Sequence, residues 1–212
     1  MIYEIRTYDI KPGSLAEVEK RFAEAYEHRK KHSLLAAFFH TEIGPLNQII
    51  HIWPYKDLAE RAKIRAEAIA DKTWPPKTGE FLTAQRTDIF EPAPFSPEFK
   101  PGKAGPYFEM RTYTYAPGAL PNVLENWGNA LPERVKLSPL VFCGYSELGG
   151  LNKWLHIWSY PTLDARNNTR DKAKDAGIWP PSVVAAKTGG KSIPYVMQEN
   201  KIVMPAKFSP VQ

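Results

Sequence analysis

Adding 105 to a residue number carries the first half of this chain onto the second, with no gap over most of its length. Glu4, Arg6, Thr7, Tyr8, Pro12 and Gly13 fall on Glu109, Arg111, Thr112, Tyr113, Pro117 and Gly118. Gly44, Leu46, Asn47, His51, Ile52, Trp53 and Tyr55 fall on Gly149, Leu151, Asn152, His156, Ile157, Trp158 and Tyr160, and Trp74-Pro75-Pro76 falls on Trp179-Pro180-Pro181. A few extra residues enter the second half around Thr188-Gly189-Gly190, yet both halves close on Phe-Ser-Pro, at Phe95-Ser96-Pro97 and Phe208-Ser209-Pro210. The fold must therefore be a unit of half the chain length, made twice.

Periodicity and breakers give the elements of that unit. Residues 2 to 10 alternate as a strand and Lys11-Pro12-Gly13 turns the chain. Ser14, with Glu17 three residues on, reads as a capping box that opens a helix to about Lys31. Strands near Leu35 to Ile43 and Asn47 to Trp53 flank a Gly44-Pro45 turn, Asp57 caps a second helix to about Lys72, and a last strand runs from near Phe81 to Glu91. The second half repeats the order, with Pro121 suited to a first helical turn and Pro132 expected to kink or end that helix. The βαββαβ order predicts an α+β chain of two ferredoxin-like units, 1–100 and 107–212. Between them, 92–106 holds five prolines and reads as an extended linker.

A ferredoxin-like sheet has helices on one face only, so its other face needs a cover. In the first strand Tyr3, Ile5 and Thr7 alternate with Glu4, Arg6 and Tyr8. The first set is largely apolar in both halves and is expected under the helices; the second set is unchanged in the repeat and is expected on the open face. Strand three divides the same way, with Gln48, Ile50 and Ile52 under the helices and Asn47, His51 and Trp53 opposite. First and third strands are neighbours in this topology, which puts the two polar sets side by side. Closing the two open faces on each other gives a pseudo-dimeric barrel, packed sheet to sheet, with these residues in a shared interior. A buried Glu and Arg there must pair, because an unpaired ion in low dielectric costs several kcal/mol.

The Glu-x-Arg-Thr-Tyr strand followed by Pro-Gly, the Asn-x-x-x-His-x-Trp-x-Tyr strand and the duplicated layout closely resemble the NIPSNAP family, within the dimeric α+β barrel superfamily. The resemblance spans nearly the whole chain and implies the tandem barrel above. It implies no settled biochemical activity. The wider superfamily includes cofactor-independent monooxygenases, isomerases and haem enzymes, which bind ligands between sheet and helices or within the barrel.

Composition removes several other classes. The charge of +5 is mild and mixed in sign along the helices, so nucleic acid is not an expected partner. The densest basic stretch, His28 to His32, falls at a helix end and reads as a solvated terminus complementing the dipole. One cysteine, Cys143, rules out an intrachain disulfide, and no apolar run approaches the ~18 residues of a membrane span. With no basic or apolar leader ahead of Ile2, the expected location is the cytoplasm. Gly190-Lys191-Ser192 resembles the end of a phosphate-binding loop, but Ala185 holds the place of the required earlier glycine.

His51 and His156 are the candidate catalytic residues, since imidazole is the group most readily poised for proton transfer near neutral pH; a structural hydrogen-bonding role is the competing reading. Glu4, Arg6, Tyr8, Asn47 and Trp53, with Glu109, Arg111, Tyr113, Asn152 and Trp158, are the candidate ligand-binding residues. No histidine, acid or cysteine stands at a metal-ligand spacing, and no cofactor is expected. The functional expectation is a small organic ligand in the barrel interior, with cofactor-free oxygenase or isomerase chemistry as the enzymatic version. The alternative is a noncatalytic interaction or scaffold protein; homo-oligomerisation is left open. Phe39, His40 and Ile49 become Gly144, Tyr145 and Trp154, so the halves differ in bulk and the roomier site is expected beside His51.

Overall fold

A computed structural model describes residues 1–212. The first unit runs β1 (Ile2–Ile10), α1 (Leu15–Arg29), β2 (Ala37–Ile43), β3 (Gln48–Tyr55), α2 (Leu58–Ala70) and β4 (Leu82–Pro92). The second runs β5 (Tyr107–Tyr115), α3 (Leu120–Arg134), β6 (Leu140–Leu148), β7 (Lys153–Tyr160), α4 (Leu163–Asp175), α5 (Pro181–Thr188) and β8 (Tyr195–Pro205). Helix α5 has no partner in the first unit, where a short 3₁₀ turn, Gly79–Phe81, precedes β4.

The eight strands close into one barrel in the order β1-β3-β2-β8-β5-β7-β6-β4. Each unit supplies four adjacent strands, and β2–β8 and β4–β6 are the seams. Arg6 stands opposite His51 and Glu4 opposite Trp53 across β1–β3; Arg111 faces His156 and Glu109 faces Trp158 across β5–β7.

The faces are the reverse of those read from the sequence. Tyr3, Ile5, Ile50 and Ile52 do not lie under the helices; they meet Phe108, Met110, Leu155 and Ile157 of the other half in one apolar cluster inside the barrel. Tyr8, Trp53 and Tyr55 pack with Val18 and Phe22 of α1 in a second cluster outside it, and Tyr113, Trp158 and Tyr160 do the same with Val123 and Trp127 of α3. Both sheet faces are thus buried, one against the opposing sheet and one against helices. Charge decides which face goes where: α2 brings Arg61 and Arg65 to Glu4, whose carboxylate would cost several kcal/mol to bury unpaired.

Local signals behave unevenly. Asp57 and Thr162 cap α2 and α4 by accepting from the N–H of Glu60 and Ala165. Ser14 makes no side-chain cap; its hydroxyl donates to the carbonyl of Lys11, while Glu17 pairs with Arg21. Pro132 sits in the last turn of α3, which ends at Arg134. The proline-rich connection is tied down: Phe99 packs on Tyr3 and Phe142, and Gly102 bridges to Val211. No helix is long and apolar enough to cross a membrane.

Candidate ligand-binding pocket

Glu4 is fully buried on the helix side of β1, and its Oε1 is the hub of the first-half polar network. It accepts from Arg6 Nη1 at 2.8 Å, Arg61 Nη2 at 2.6 Å and the Thr87 hydroxyl at 3.1 Å, while Arg65 Nη1 stands 3.7 Å from Oε2. Burial alone would raise the Glu4 pKa, but the Arg61 hydrogen bond and the charges of Arg6, Arg65 and Arg61 outweigh it and hold it at about 2. Arg6 also donates from Nε to the Tyr8 hydroxyl at 2.6 Å, so the Tyr8 oxygen is already an acceptor and its own proton is free to donate. In the second half Arg111 bonds Glu109 at 3.0 Å and Tyr113 at 2.7 Å, and Arg166 and Arg170 approach Glu109. These pairs do not cross between halves and do not occupy a shared interior; each is a private layer between one sheet and its own helices.

His51 is 1% exposed and enclosed by rings, with Phe22, Phe38 and Tyr8 packed around it. Its Nδ1 accepts from Trp53 Nε1 at 2.7 Å, and its Nε2 has no partner. Burial, with the positive charge of Arg6, lowers its pKa to about 3. His156 repeats this, accepting from Trp158 at 2.8 Å, and burial likewise holds it well below its ordinary value. Neither histidine lines a wall of the barrel interior, where the open-face reading placed them.

Asn47 and Asn152 also leave the candidate set. They sit in the β2–β3 and β6–β7 hairpin turns at φ 56° and 58°, ahead of the strands and not on them. Asparagine tolerates the left-handed region, and each carbonyl accepts the N–H of Ile10 or Tyr115, which explains the repeated residue without a ligand.

The barrel interior is packed with side chains, so it is not the expected ligand chamber. A cavity of about 330 Å³ lies instead between β1, β3 and the helices of the first half. Arg6, Arg29, Arg65, Tyr8 and Tyr55 form its polar lining, and Phe22, Trp53, Trp74, Ile69 and Leu82 its apolar one. Pro75, Pro76 and Thr78 complete one rim, which places the Trp-Pro-Pro segment at the pocket.

Arg29 was not expected there. Read as part of a solvated helix end, it is 2% exposed, lies over Trp53 and Trp74, and reaches the Tyr55 hydroxyl at 3.3 Å with Nη2. Its Nε and Nη1 have no partner, and no carboxylate pairs with it. Arg61 and Arg65 were missed as well. All three carry a signal in the sequence: Arg29, Arg61 and Arg65 fall on Arg134, Arg166 and Arg170 at the same offset of 105.

In the second half a space of only about 10 Å³ opens beside the equivalents of Phe22, Pro76 and Leu82, bounded by Trp127, Pro181 and Tyr195. Arg134 there is better satisfied than Arg29, donating to the Ser138 hydroxyl at 2.8 Å and the Tyr160 hydroxyl at 3.0 Å.

The NIPSNAP family profile matches residues 3–97 and 108–210, one copy on each unit. The chain belongs to the NIPSNAP family. Protein NipSnap homolog 3A of Homo sapiens is 30% identical over 100% of this chain and 86% of its own length, and NipSnap homolog 3B of Mus musculus is 30% identical over 99% and 85%. A solved structure of a monooxygenase candidate from Fusobacterium nucleatum covers 97% of the chain and 92% of its own at a TM-score of 0.68 and 11% identity, a likeness of fold alone. The NIPSNAP repeat thus accounts for the duplicated barrel.

Proposed function

We propose that this NIPSNAP chain binds a small organic anion in the sheet–helix cavity of its first half. Arg29 carries the reading. A buried guanidinium with no carboxylate partner costs several kcal/mol, and a carboxylate or phosphate in the adjoining cavity would take up its free N–H groups in charge-assisted hydrogen bonds. Arg6 and Arg65 add positive charge at the same wall, against the single buried Glu4. Trp53, Trp74 and Phe22 suit an apolar body on the anion, and the volume is at the lower end of the ~300–1,000 Å³ typical of small-molecule sites.

Among the hydroxyls at the cavity, Tyr8 and Tyr55 accept from Arg6 and Arg29 and so can each donate to a ligand oxygen. His51 does not line the cavity, so proton transfer there would fall to Tyr8 or Tyr55 and not to imidazole. The oxygenase reading draws on the superfamily resemblance and on the name of a fold neighbour, whereas anion binding draws on residues of this chain. A scaffold role fits the second half, where Trp127 packs on His156 and Trp179.

The test is a thermal-shift and calorimetric panel of benzoate, phenyl phosphate, hexanoate and neutral benzyl alcohol on the native chain, Arg29→Met and Arg134→Met. A ligand bound only by the native state raises Tm. Anions are expected to stabilise the native and Arg134→Met proteins, with at least tenfold weaker binding to Arg29→Met. No shift with any anion, or equal shifts in all three proteins, would overturn the reading.

A further inference from the structure

The second half keeps the pocket's polar and indole parts. Arg111, Arg134, Arg170, Tyr113, Trp158 and Trp179 stand at the positions of Arg6, Arg29, Arg65, Tyr8, Trp53 and Trp74. Besides the added helix α5, the bulk of two walls differs. Phe22 becomes Trp127 at the common offset. Strand pairing gives the other equivalence, since Ile10 pairs with Leu82 in the first half and its counterpart Tyr115 pairs with Tyr195 in the second. Phe22 and Leu82 both line the open cavity; Trp127, which is buried, and Tyr195, which is 37% exposed, both border a space of about 10 Å³.

The enlarged rings stack into the site. Tyr195 lies 4.6 Å from the Tyr113 ring and 5.3 Å from Tyr115, and Trp127 lies 4.6 Å from His156 and 4.8 Å from Trp179, centroid to centroid. Arg134 meanwhile finds two hydroxyl partners, so the filled half has less unmet demand for an anion than the open one.

Resting on the anion-binding reading above, we infer that the second half is a plugged copy of the same site, in which Tyr195 and Trp127 occupy the place an aryl acid takes in the first. The intrachain phenol against Tyr113 shows the shape that the layer accepts: a single flat ring beside the arginine that holds the tyrosine. The chain accordingly takes one aryl anion per copy, and trimming the plug uncovers a second site.

Isothermal titration with 4-hydroxyphenylacetate tests this on the native chain, on Tyr195→Leu, and on Trp127→Phe/Tyr195→Leu, with circular dichroism to confirm folding. The expected stoichiometry is one for the native chain and two for the double variant, with Tyr195→Leu sufficing for a weaker second site if the double variant does not fold. Adding Arg134→Met to the trimmed chain should remove the second site and leave the first. A native stoichiometry of two, or a folded trimmed variant that still binds one, overturns the plug while leaving the anion reading intact. Native binding of hexanoate without benzoate or 4-hydroxyphenylacetate overturns the ring-shaped ligand class alone. Absence of all anion binding overturns both.

Discussion

The indole N–H of Trp53 donates to Nδ1 of His51 at 2.7 Å, two residues back on the same strand, and Trp158 does the same to His156 at 2.8 Å. An indole nitrogen can only donate, so Nδ1 must be the bare nitrogen and the proton of the neutral ring sits on Nε2. Each histidine is therefore locked as a neutral acceptor under α1 or α3. Replacing His51 with Gln is expected to lower stability by roughly 1–3 kcal/mol, since the buried Trp53 donor loses a well-placed partner. Affinity for an anion in the first-half cavity should stay within about twofold. Urea denaturation and titration on the same protein check it; lost binding with unchanged stability would return His51 to the ligand.

The pH dependence of stability has a fixed sign. His51 and His156 have pKa values depressed below the ordinary 6.5, His51 to about 3, so their neutral burial contributes fully above pH 6.5 and is lost as pH falls toward 3. Glu4, depressed from 4.5 to about 2, adds stability that is present above 4.5 and lost as pH falls through 2. The unfolding free energy from urea titration should therefore decline from pH 6.5 downward, by roughly 2 kcal/mol at pH 5 for His51, with His156 acting in the same direction. The His51→Gln/His156→Gln variant should flatten the segment between pH 6.5 and 5 while keeping the steeper loss below 4.5.

Glu4→Gln removes the charge that holds Arg6 and Arg61 at 2.8 and 2.6 Å. Those guanidinium groups are partly solvated, so the expected loss is about 2–3 kcal/mol, less than for a fully buried pair. Glu109→Gln should cost a similar amount, and the two losses should add within about 0.5 kcal/mol because the layers share no partner. Chemical denaturation of the single and double variants measures both; strong non-additivity would mean that the two layers communicate through the barrel.

Asn47→Ala should destabilise by about 1 kcal/mol, because alanine resists the positive φ of the hairpin, and Asn47→Gly should be close to neutral. Neither should alter anion affinity. A binding defect in the glycine variant would restore Asn47 to the site.

The sequence alone determined the duplication, the βαββαβ order, the neighbouring of β1 and β3 and the need of each buried Glu and Arg for an ionic partner. Those follow from an exact offset, from breakers at turns and from electrostatics, all of which are local or self-referential. Tertiary structure decided which sheet face met the helices. Alternation along β1 separates Glu4, Arg6 and Tyr8 from Tyr3 and Ile5, but both sets are buried, so polarity against solvent could not rank them. The cations that solvate Glu4 reside on α2, as Arg61 and Arg65, and the opposing sheet offers Ile5 the apolar side chains of Phe108, Met110 and Leu155. Arg29 likewise had the look of a solvated helix terminus until β3 brought Trp53 beneath it. A side chain's charge is written in the sequence, while the partner that makes its burial tolerable comes from an element dozens of residues away.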